Sequence, residues 1–228
     1  YRAISAGAIE RISYISLSAK IQEYGDVSNC EAYQFTISGL RFVMFRFVDQ
    51  GVTWCINESL GVDGWFQLSS GVKFEQYPYT SPAEVYNRLL VEGQSGELLE
   101  LRDDVYTNNG VILNRRRTLA PISSDILRAK NKEIRVNRLE LLVETGVGLL
   151  TGQGDDPIIQ LEASTDGGRT WRELSWIKIG RLGDFKQRVK ADFGGVTCYE
   201  CVFRMTCTDP IALNLYAGAA SIKLTGKK

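Results

Sequence analysis

The 228-residue chain contains no histidine. This absence excludes a Ser-His-Asp triad, a Cys-His nucleophile pair and any zinc site with histidine ligands. The chain also lacks an apolar run near the roughly 18 residues that indicate a membrane-spanning helix. An excess of one charge is missing too, because 27 Lys and Arg balance 27 Asp and Glu. A protein that coats nucleic acid generally needs a basic excess, so we do not expect that function.

The charge is mildly uneven along the chain. Residues 1–120 carry 11 Lys and Arg against 14 Asp and Glu, whereas residues 121–228 carry 16 against 13. The two parts therefore have formal charges of −3 and +3. This asymmetry leaves room for a locally charged face, although the whole chain is neutral.

Cysteine occurs in an odd number: Cys30, Cys55, Cys198, Cys201 and Cys207. Cys198 and Cys201 form a C-x-x-C pair, but no second pair completes a zinc site. In a single strand, residues three apart point to opposite faces. We therefore expect buried free thiols in a protein that is made in a reducing cytosol.

Alternation of apolar and polar residues with period two dominates the chain, and turns recur roughly every 8–12 residues. This pattern predicts an all-β fold, with β-propeller-like or β-sandwich blades of antiparallel meanders. We expect a propeller-like β meander over residues 1–82 and a β-rich domain over residues 83–228. One continuous β domain is the alternative.

The segment from Ser164 to Trp171 reads Ser-Thr-Asp-Gly-Gly-Arg-Thr-Trp and fits the Asp-box pattern S-x-D-x-G-x-T-W. Asp166 is expected to accept backbone hydrogen bonds, as in an Asx-turn, and Gly168 to adopt a positive φ. Thr170 begins the return strand, and Trp171 is expected to enter the core beneath the turn. This motif usually shapes a hairpin and binds no ligand, so we interpret it as structural.

A degenerate copy of the motif precedes it in the chain. Asp49, Gly51, Thr53 and Trp54 give D-x-G-x-T-W, but Phe47 stands where Ser or Thr is expected. Residues 33–70 have the length of about one propeller blade, with three or four short strands. The copy predicts a second hairpin of the same kind.

The remaining polar features offer weaker candidates. In a strand, Arg115 and Arg117 share one face and form a candidate basic surface that meets phosphates or carboxylates and faces a subunit or the channel. A solvated or subunit-facing strand is the alternative. The glycine-rich segment 146–154 fits neither the dinucleotide nor the P-loop pattern. Asp155 and Asp156 carry oxygen ligands suited to Ca²⁺, but the EF-hand spacing is absent. We expect no catalytic residues, no cofactor and no metal.

Asp-box propellers include sialidases and other glycosidases, so an Asp-box glycosidase or carbohydrate-binding β-propeller module is the alternative function. Such enzymes need paired carboxylates. The start of the chain, from Tyr1 to Ile4, is only faintly similar to the arginine-bearing sialidase segment. A third class is an unrelated β module that binds a protein partner.

The order of several motifs resembles a specific family. They are Phe45–Trp54, Gly64–Ser70, Glu97–Leu101, Asn109-Gly110, the arginine-rich strand, Leu139–Gly148, Gly152–Pro157, the Asp-box, Ile179–Gly183, Arg188, Val202–Arg204 and Asp209-Pro210. This series resembles the tail-hub proteins of short-tailed bacteriophages, also called packaged-DNA stabilisation or nozzle proteins. The resemblance covers roughly residues 33–224 and is most specific from Leu139 to Pro210.

The resemblance implies a virion structural protein and no enzyme. Such hubs form a ring, usually hexameric, under the portal and its adaptor, and they hold tailspikes or fibres and a plug or needle. They retain packaged DNA and form part of the channel through which it is ejected, without sequence specificity. The resemblance implies assembly into the tail after synthesis in the bacterial cytoplasm, without membrane insertion. Because these proteins are usually longer, it also implies that an N-terminal part is missing.

Overall fold

A computed structural model describes residues 2–3, 8–129 and 131–225. The chain divides into two compact units, Tyr1–Val111 and Ile112–Lys228. The expected boundary after residue 82 therefore lies within the first unit. No helix in the described part of the chain is both long enough and apolar enough to cross a membrane.

The first unit consists of short antiparallel strands and one helix. Its elements are β1 Arg2–Ala3, β2 Ile9–Glu10, α1 Ile15–Glu23, β3 Cys30–Ile37, β4 Leu40–Phe47, β5 Val52–Asn57, a 3-10 segment Glu58–Gly64, β6 Trp65–Ser70, β7 Glu75–Gln76, β8 Thr80–Val85, β9 Arg88–Glu92, β10 Leu98–Glu100 and β11 Thr107–Asn108. Strands β3 to β7 form one meander in sequence order, and β8, β9 and β10 form a three-stranded sheet. The short antiparallel strands expected over residues 33–70 are present in this meander.

Buried side chains of the first unit surround the β4–β5 hairpin. Met44, Phe47, Cys55 and Ile56 are buried on its two strands, and Leu17 is buried on α1. Met44 and Phe47 are three residues apart and Cys55 and Ile56 are adjacent, so both faces of the hairpin carry buried residues. Burial of such side chains stabilises the unit by roughly 1.5–3 kcal/mol each.

The second unit begins within the short hairpin that β11 forms with β12. Its elements are β12 Val111–Ile112, β13 Arg115–Thr118, β14 Ile122–Ser123, a 3-10 turn Ser124–Leu127, β15 Ile134–Val143, β16 Ile158–Ser164, β17 Arg172–Lys178, β18 Val189–Cys198, β19 Glu200–Cys207 and β20 Leu215–Leu224. One sheet has the order β13-β19-β16-β17, with β14 also paired to β19, and the other has the order β18-β15-β20. The pairings recorded between these strands are antiparallel.

The two sheets of the second unit pack face to face around one core. Ile159 and Leu161 of β16 and Phe203 of β19 point inward from the larger sheet, while Leu139 and Leu141 of β15 point inward from the smaller one. The period-two pattern of the sequence produces this arrangement, because alternate residues of a strand face the same layer. The second unit is thus a β-sandwich, and the all-β prediction is confirmed.

The sandwich is closed along one side and open along the other. Strands β17 and β18 contact each other and so join the two sheets at one side. On the opposite side, β13 and β20 are the edge strands of their sheets. The two sheets therefore form a half-barrel, and its open side lies between β13 and β20.

Candidate functional site

A groove of about 850 Å³ lies between the edge strands β13 and β20 of the second unit. Its floor is apolar and is made by Val143, Ile159, Met205 and Cys207, all of which also belong to the sandwich core. One wall carries Arg115 to Arg117, and the other carries Asn214 to Gly218. An apolar floor with a few polar groups at its rim is typical of binding sites.

The pairing of β13 with β19 determines on which face of the sheet Arg115, Arg116 and Arg117 lie. Arg115 pairs with Cys207 and Arg117 pairs with Met205. Directly paired residues point to the same face, so Arg115 and Arg117 lie on the same face as the inward side chains of β19. Sequence periodicity predicts this shared face. Arg116 lies on the outer face of the sheet.

Arg115 stabilises the loop that follows β19. Its Nη1 donates to the carbonyl oxygen of Ile211 at 2.6 Å, and its Nη2 donates to the carbonyl oxygen of Asp209. The Asp209 carboxylate is buried and accepts the backbone N–H of Ile158 at 2.8 Å. The Arg115 guanidinium therefore holds this loop in place at one end of the groove.

Arg117 differs from Arg115 in its surroundings. Its side chain is exposed, and it forms no hydrogen bond or ion pair with any residue in the described part of the chain. Across the groove, Tyr216 is also exposed, with 66% of its surface accessible. Both side chains lie on the rim and are available to a partner.

The turn from Ser164 to Thr170 is held by the carboxylate of Asp166. It accepts the backbone N–H groups of Arg169 at 3.0 Å and Thr170 at 2.9 Å, together with the Thr170 hydroxyl at 2.6 Å and the Ser164 hydroxyl at 2.6 Å. Gly168 has φ +91°, which an L side chain rarely adopts. The Ser164 and Thr170 hydroxyl bonds and the backbone N–H groups hold the pKa of Asp166 well below its usual range.

Trp171 does not enter the core as the sequence predicts. Its ring lies on the outer face of the sheet, where its Nε1 donates to the carbonyl oxygen of Gly168 at 3.0 Å. The Arg204 guanidinium stacks over the ring at 4.0 Å from its centroid. The ring lies there because Trp171 precedes β17, so that it folds back over the turn, and because Arg204 of β19 stacks on it.

Arg204 connects this turn to the neighbouring strands. Its Nε and Nη2 donate to the two carboxylate oxygens of Glu162 at 2.8 and 2.7 Å. This pairing lowers the pKa of Glu162. Burial, followed by the nearby Arg204 charge, lowers the pKa of Arg116.

These contacts bear on the glycosidase alternative. The carboxylates of Asp166 and Glu162 are both bound within the fold, one by the turn and one by Arg204. A general acid needs a raised pKa, whereas both of these values are lowered. Both carboxylates are therefore used to hold the fold.

The second motif forms a hairpin with different contacts. The turn joins β4 to β5, and Gly51 donates its N–H to the carbonyl oxygen of Val48 at 3.2 Å. The Asp49 carboxylate accepts the side-chain amide of Asn29 at 2.9 Å, and the Nε1 of Trp54 donates to the hydroxyl of Tyr24 at 3.1 Å. Thr53 is fully buried. The hairpin agrees with the prediction, but Asp49 lacks the turn contacts that Asp166 makes among the described residues.

The glycine-rich segment and the acidic pair after it also serve packing. A Cβ on Gly148 would lie 3.0 Å from the carbonyl oxygen of Asp155 and from the N of Leu182. The Asp156 carboxylate accepts the Lys178 ammonium at 2.6 Å. Within the described residues, no group of three metal-ligating side chains is present.

The cysteines are free thiols, as the sequence predicts. Cys198 and Cys201 are both buried in the same core, however, and not on opposite faces. The reason is that β18 ends at Cys198 and β19 begins at Glu200, so that the two residues lie on different strands. Burial raises the pKa of Cys55 to about 12 and also raises that of Cys201.

The sandwich is similar to the domain of a known protein family. Residues 122–223 match the family model described as bacteriophage P22 Gp10, beta-sandwich. The match covers less than half of the chain and lies within the second unit. No curated protein matches the chain. The Gp10 match supports a phage tail structural protein and agrees with the resemblance seen from Leu139 to Pro210.

The Gp10 match includes most of the groove but not all of it. It spans β14 to β19 and most of β20, so that it contains the floor and the wall around Tyr216. Arg115 to Arg117 and Leu119 precede the matched residues. The groove was not predicted from the sequence, because its position depends on which edges of the two sheets lie next to each other. The ion pair between Glu162 and Arg204 was missed for a similar reason.

Proposed function

We propose that the chain is a structural subunit of the tail of a short-tailed phage, acting as a hub or nozzle ring beneath the portal and its adaptor. In this role it retains packaged DNA, lines part of the exit channel and provides the attachment point for tailspikes or fibres and for a plug or needle. The subunit forms a homo-oligomeric ring, for which a hexamer is the expected size. It acts without enzymatic activity, and it contacts passing DNA without sequence specificity.

The match of residues 122–223 to the Gp10 β-sandwich carries this proposal. Two independent features support it. The series of motifs that resembles tail hubs extends over both units, and its most specific part coincides with the matched sandwich. The carboxylate of Asp166 in the Asp-box and that of the nearby Glu162 are both bound within the fold.

The first unit is proposed to be a propeller-like element of the same protein. Its meander β3-β4-β5-β6-β7 is antiparallel and in sequence order, as in a propeller blade. We assign both Asp-box segments, at Asp166 and at Asp49, to shaping hairpins. Under this proposal the protein binds other virion proteins, and neither turn binds a sugar.

The location of the protein on the phage particle tests the proposal. Purified virions are labelled with antibodies against the folded chain and imaged by electron microscopy, and the copy number is measured by quantitative mass spectrometry. We expect the label at the tail vertex and a copy number that fits one ring. Absence from washed virions, or label spread over the capsid lattice, contradicts the proposal. An antibody against the major capsid protein is the control for labelling.

A further inference from the structure

The open side of the sandwich exposes a long strand edge. Strand β20 covers ten residues, Leu215–Leu224, and pairs with β15 along one side only. Its centre consists of the small residues Ala217 to Ser221, and its one charged residue is Lys223. Proteins usually blunt such edges with charges, prolines or bulges, because the free backbone groups are a template for another strand. The sheet edge at β20 has few of these protections.

The two units carry opposite charges. Residues 1–111 hold eight Lys and Arg against 14 Asp and Glu, which gives −6. Residues 112–228 hold 19 against 13, which gives +6. The arginine wall at Arg115 to Arg117 places part of the positive charge beside the groove. Such a chain complements a second copy of itself, because a basic unit of one copy suits an acidic unit of the next.

We propose that the open side of the second unit, formed by the groove and the edge of β20, is the surface on which a second copy of the chain docks its acidic first unit. This inference rests on the proposed ring function and names its subunit interface. The contact is heterologous, since different surfaces meet, and a heterologous contact closes into a ring when its rotation permits. The exposed ring of Tyr216 supplies surface that a partner can bury, and Arg117 supplies charge attraction.

Arg117 and Gly218 allow the surface to be changed without damage to the fold. Arg117 is exposed and has no partner within the described part of the chain, so Arg117→Glu removes no contact of the monomer. A Cβ on Gly218 would meet Leu141 Cδ2 at 3.7 Å and Leu119 Cδ1 at 3.8 Å, which are ordinary contacts. Gly218→Leu therefore fills the groove from its wall. Arg172→Glu is the matched control, because Arg172 is an exposed arginine of β17 on the closed side.

The experiment measures self-association of the full-length chain by sedimentation velocity and native mass spectrometry over a concentration series. We expect the wild-type chain and Arg172→Glu to associate alike, and Arg117→Glu and Gly218→Leu each to weaken association by about tenfold. Higher salt is expected to weaken wild-type association, since it screens the attraction between units. Hydrogen exchange is expected to show slower exchange in β20 in the assembled form than in the monomer. Circular dichroism and melting of each variant show that its fold is retained.

Three results overturn this inference. The first is a wild-type chain that stays monomeric at its highest soluble concentration. The second is a ring that assembles equally well with Arg117→Glu and Gly218→Leu. The third is a groove that is filled in virions by a different protein, as shown by cross-linking from the Tyr216→Cys variant. All three results leave the proposed tail function intact, because that function is judged separately by the location of the protein in the virion.

Discussion

Removal of the Phe203 ring is the sharpest test of the sandwich core. Phe203 is fully buried on β19, a central strand of the larger sheet. Its ring centroid lies 6.0 Å from that of Phe193 on β18 in the smaller sheet. The ring therefore bridges the two layers, and Phe203→Ala leaves a cavity between them.

The expected magnitude follows from this burial. Replacement of a buried phenylalanine by alanine costs about 3–5 kcal/mol, through lost transfer free energy and the cavity that remains. A domain is stable by only about 5–15 kcal/mol, so the second unit loses a large share of its stability. With a urea dependence of about 2 kcal/mol per molar, the unfolding midpoint falls by roughly 2 M.

The assay must distinguish the two units. Each unit has two tryptophans, Trp54 and Trp65 in the first and Trp171 and Trp176 in the second, so fluorescence alone mixes their transitions. Hydrogen exchange read by mass spectrometry at increasing urea reports each unit separately. Phe185→Ala is the control, because Phe185 is 75% exposed and its loss should change the free energy of unfolding by no more than about 0.5 kcal/mol. A loss below about 1 kcal/mol for Phe203→Ala, or one equal to the control, would refute the two-layer core.

Four further predictions concern the turn, the pH dependence of stability, the thiols and DNA. Asp166→Asn is expected to speed hydrogen exchange of the 168–170 amides several-fold, whereas Asp49→Asn leaves its own turn nearly unchanged; equal effects would contradict the different contacts of the two carboxylates. In the folded protein the pKa values of Asp166 and Glu162 lie below the ordinary values of these side chains. The stability that the two carboxylates contribute is therefore complete when the pH is above their ordinary pKa values, and it is lost as the pH falls toward their pKa values in the folded protein. A urea titration should thus show constant stability of the second unit from about pH 5 to 8 and a decline below about pH 4, and a decline that begins near neutral pH would disagree. In the native chain a thiol reagent is expected to label Cys30 alone rapidly, because the other four thiols are buried: Cys55, Cys198, Cys201 and Cys207; labelling of all five at the same rate before unfolding would contradict this. The chain is expected to show no measurable binding to duplex DNA at moderate salt in a mobility-shift assay, and tight, salt-sensitive binding would count against a channel that lets DNA pass.

Local patterns predicted much of the secondary structure. The alternation over Glu133–Glu144 predicts the strand β15, and the Asp-box pattern predicts the β16–β17 hairpin. Both depend on residues that are near in sequence, where side-chain period and turn chemistry are sufficient. The shared face of Arg115 and Arg117 follows from the same period of two.

Contacts between segments that are distant in the sequence could not be predicted from the periodicity of the chain. The position of Trp171 depends on Arg204, which lies 33 residues further along the chain and reaches the ring through β19. Cys198 and Cys201 are buried together because the chain turns at Tyr199, and the alternating pattern of this segment does not reveal that turn. The groove requires knowledge of which strands end each sheet, and strand order in a sandwich is set by packing over the whole domain.

The proposed role in a phage tail is tested most directly by particles that are assembled without this protein. Phage carrying a nonsense mutation in the coding sequence are grown in a non-suppressing host, and the particles are examined by electron microscopy and by nuclease protection of their DNA. We expect heads that package DNA but lose it, with no fibres or spikes at the tail vertex, and recovery when the protein is supplied from a plasmid. Infectious particles with complete tails and protected DNA in the absence of the protein would contradict it.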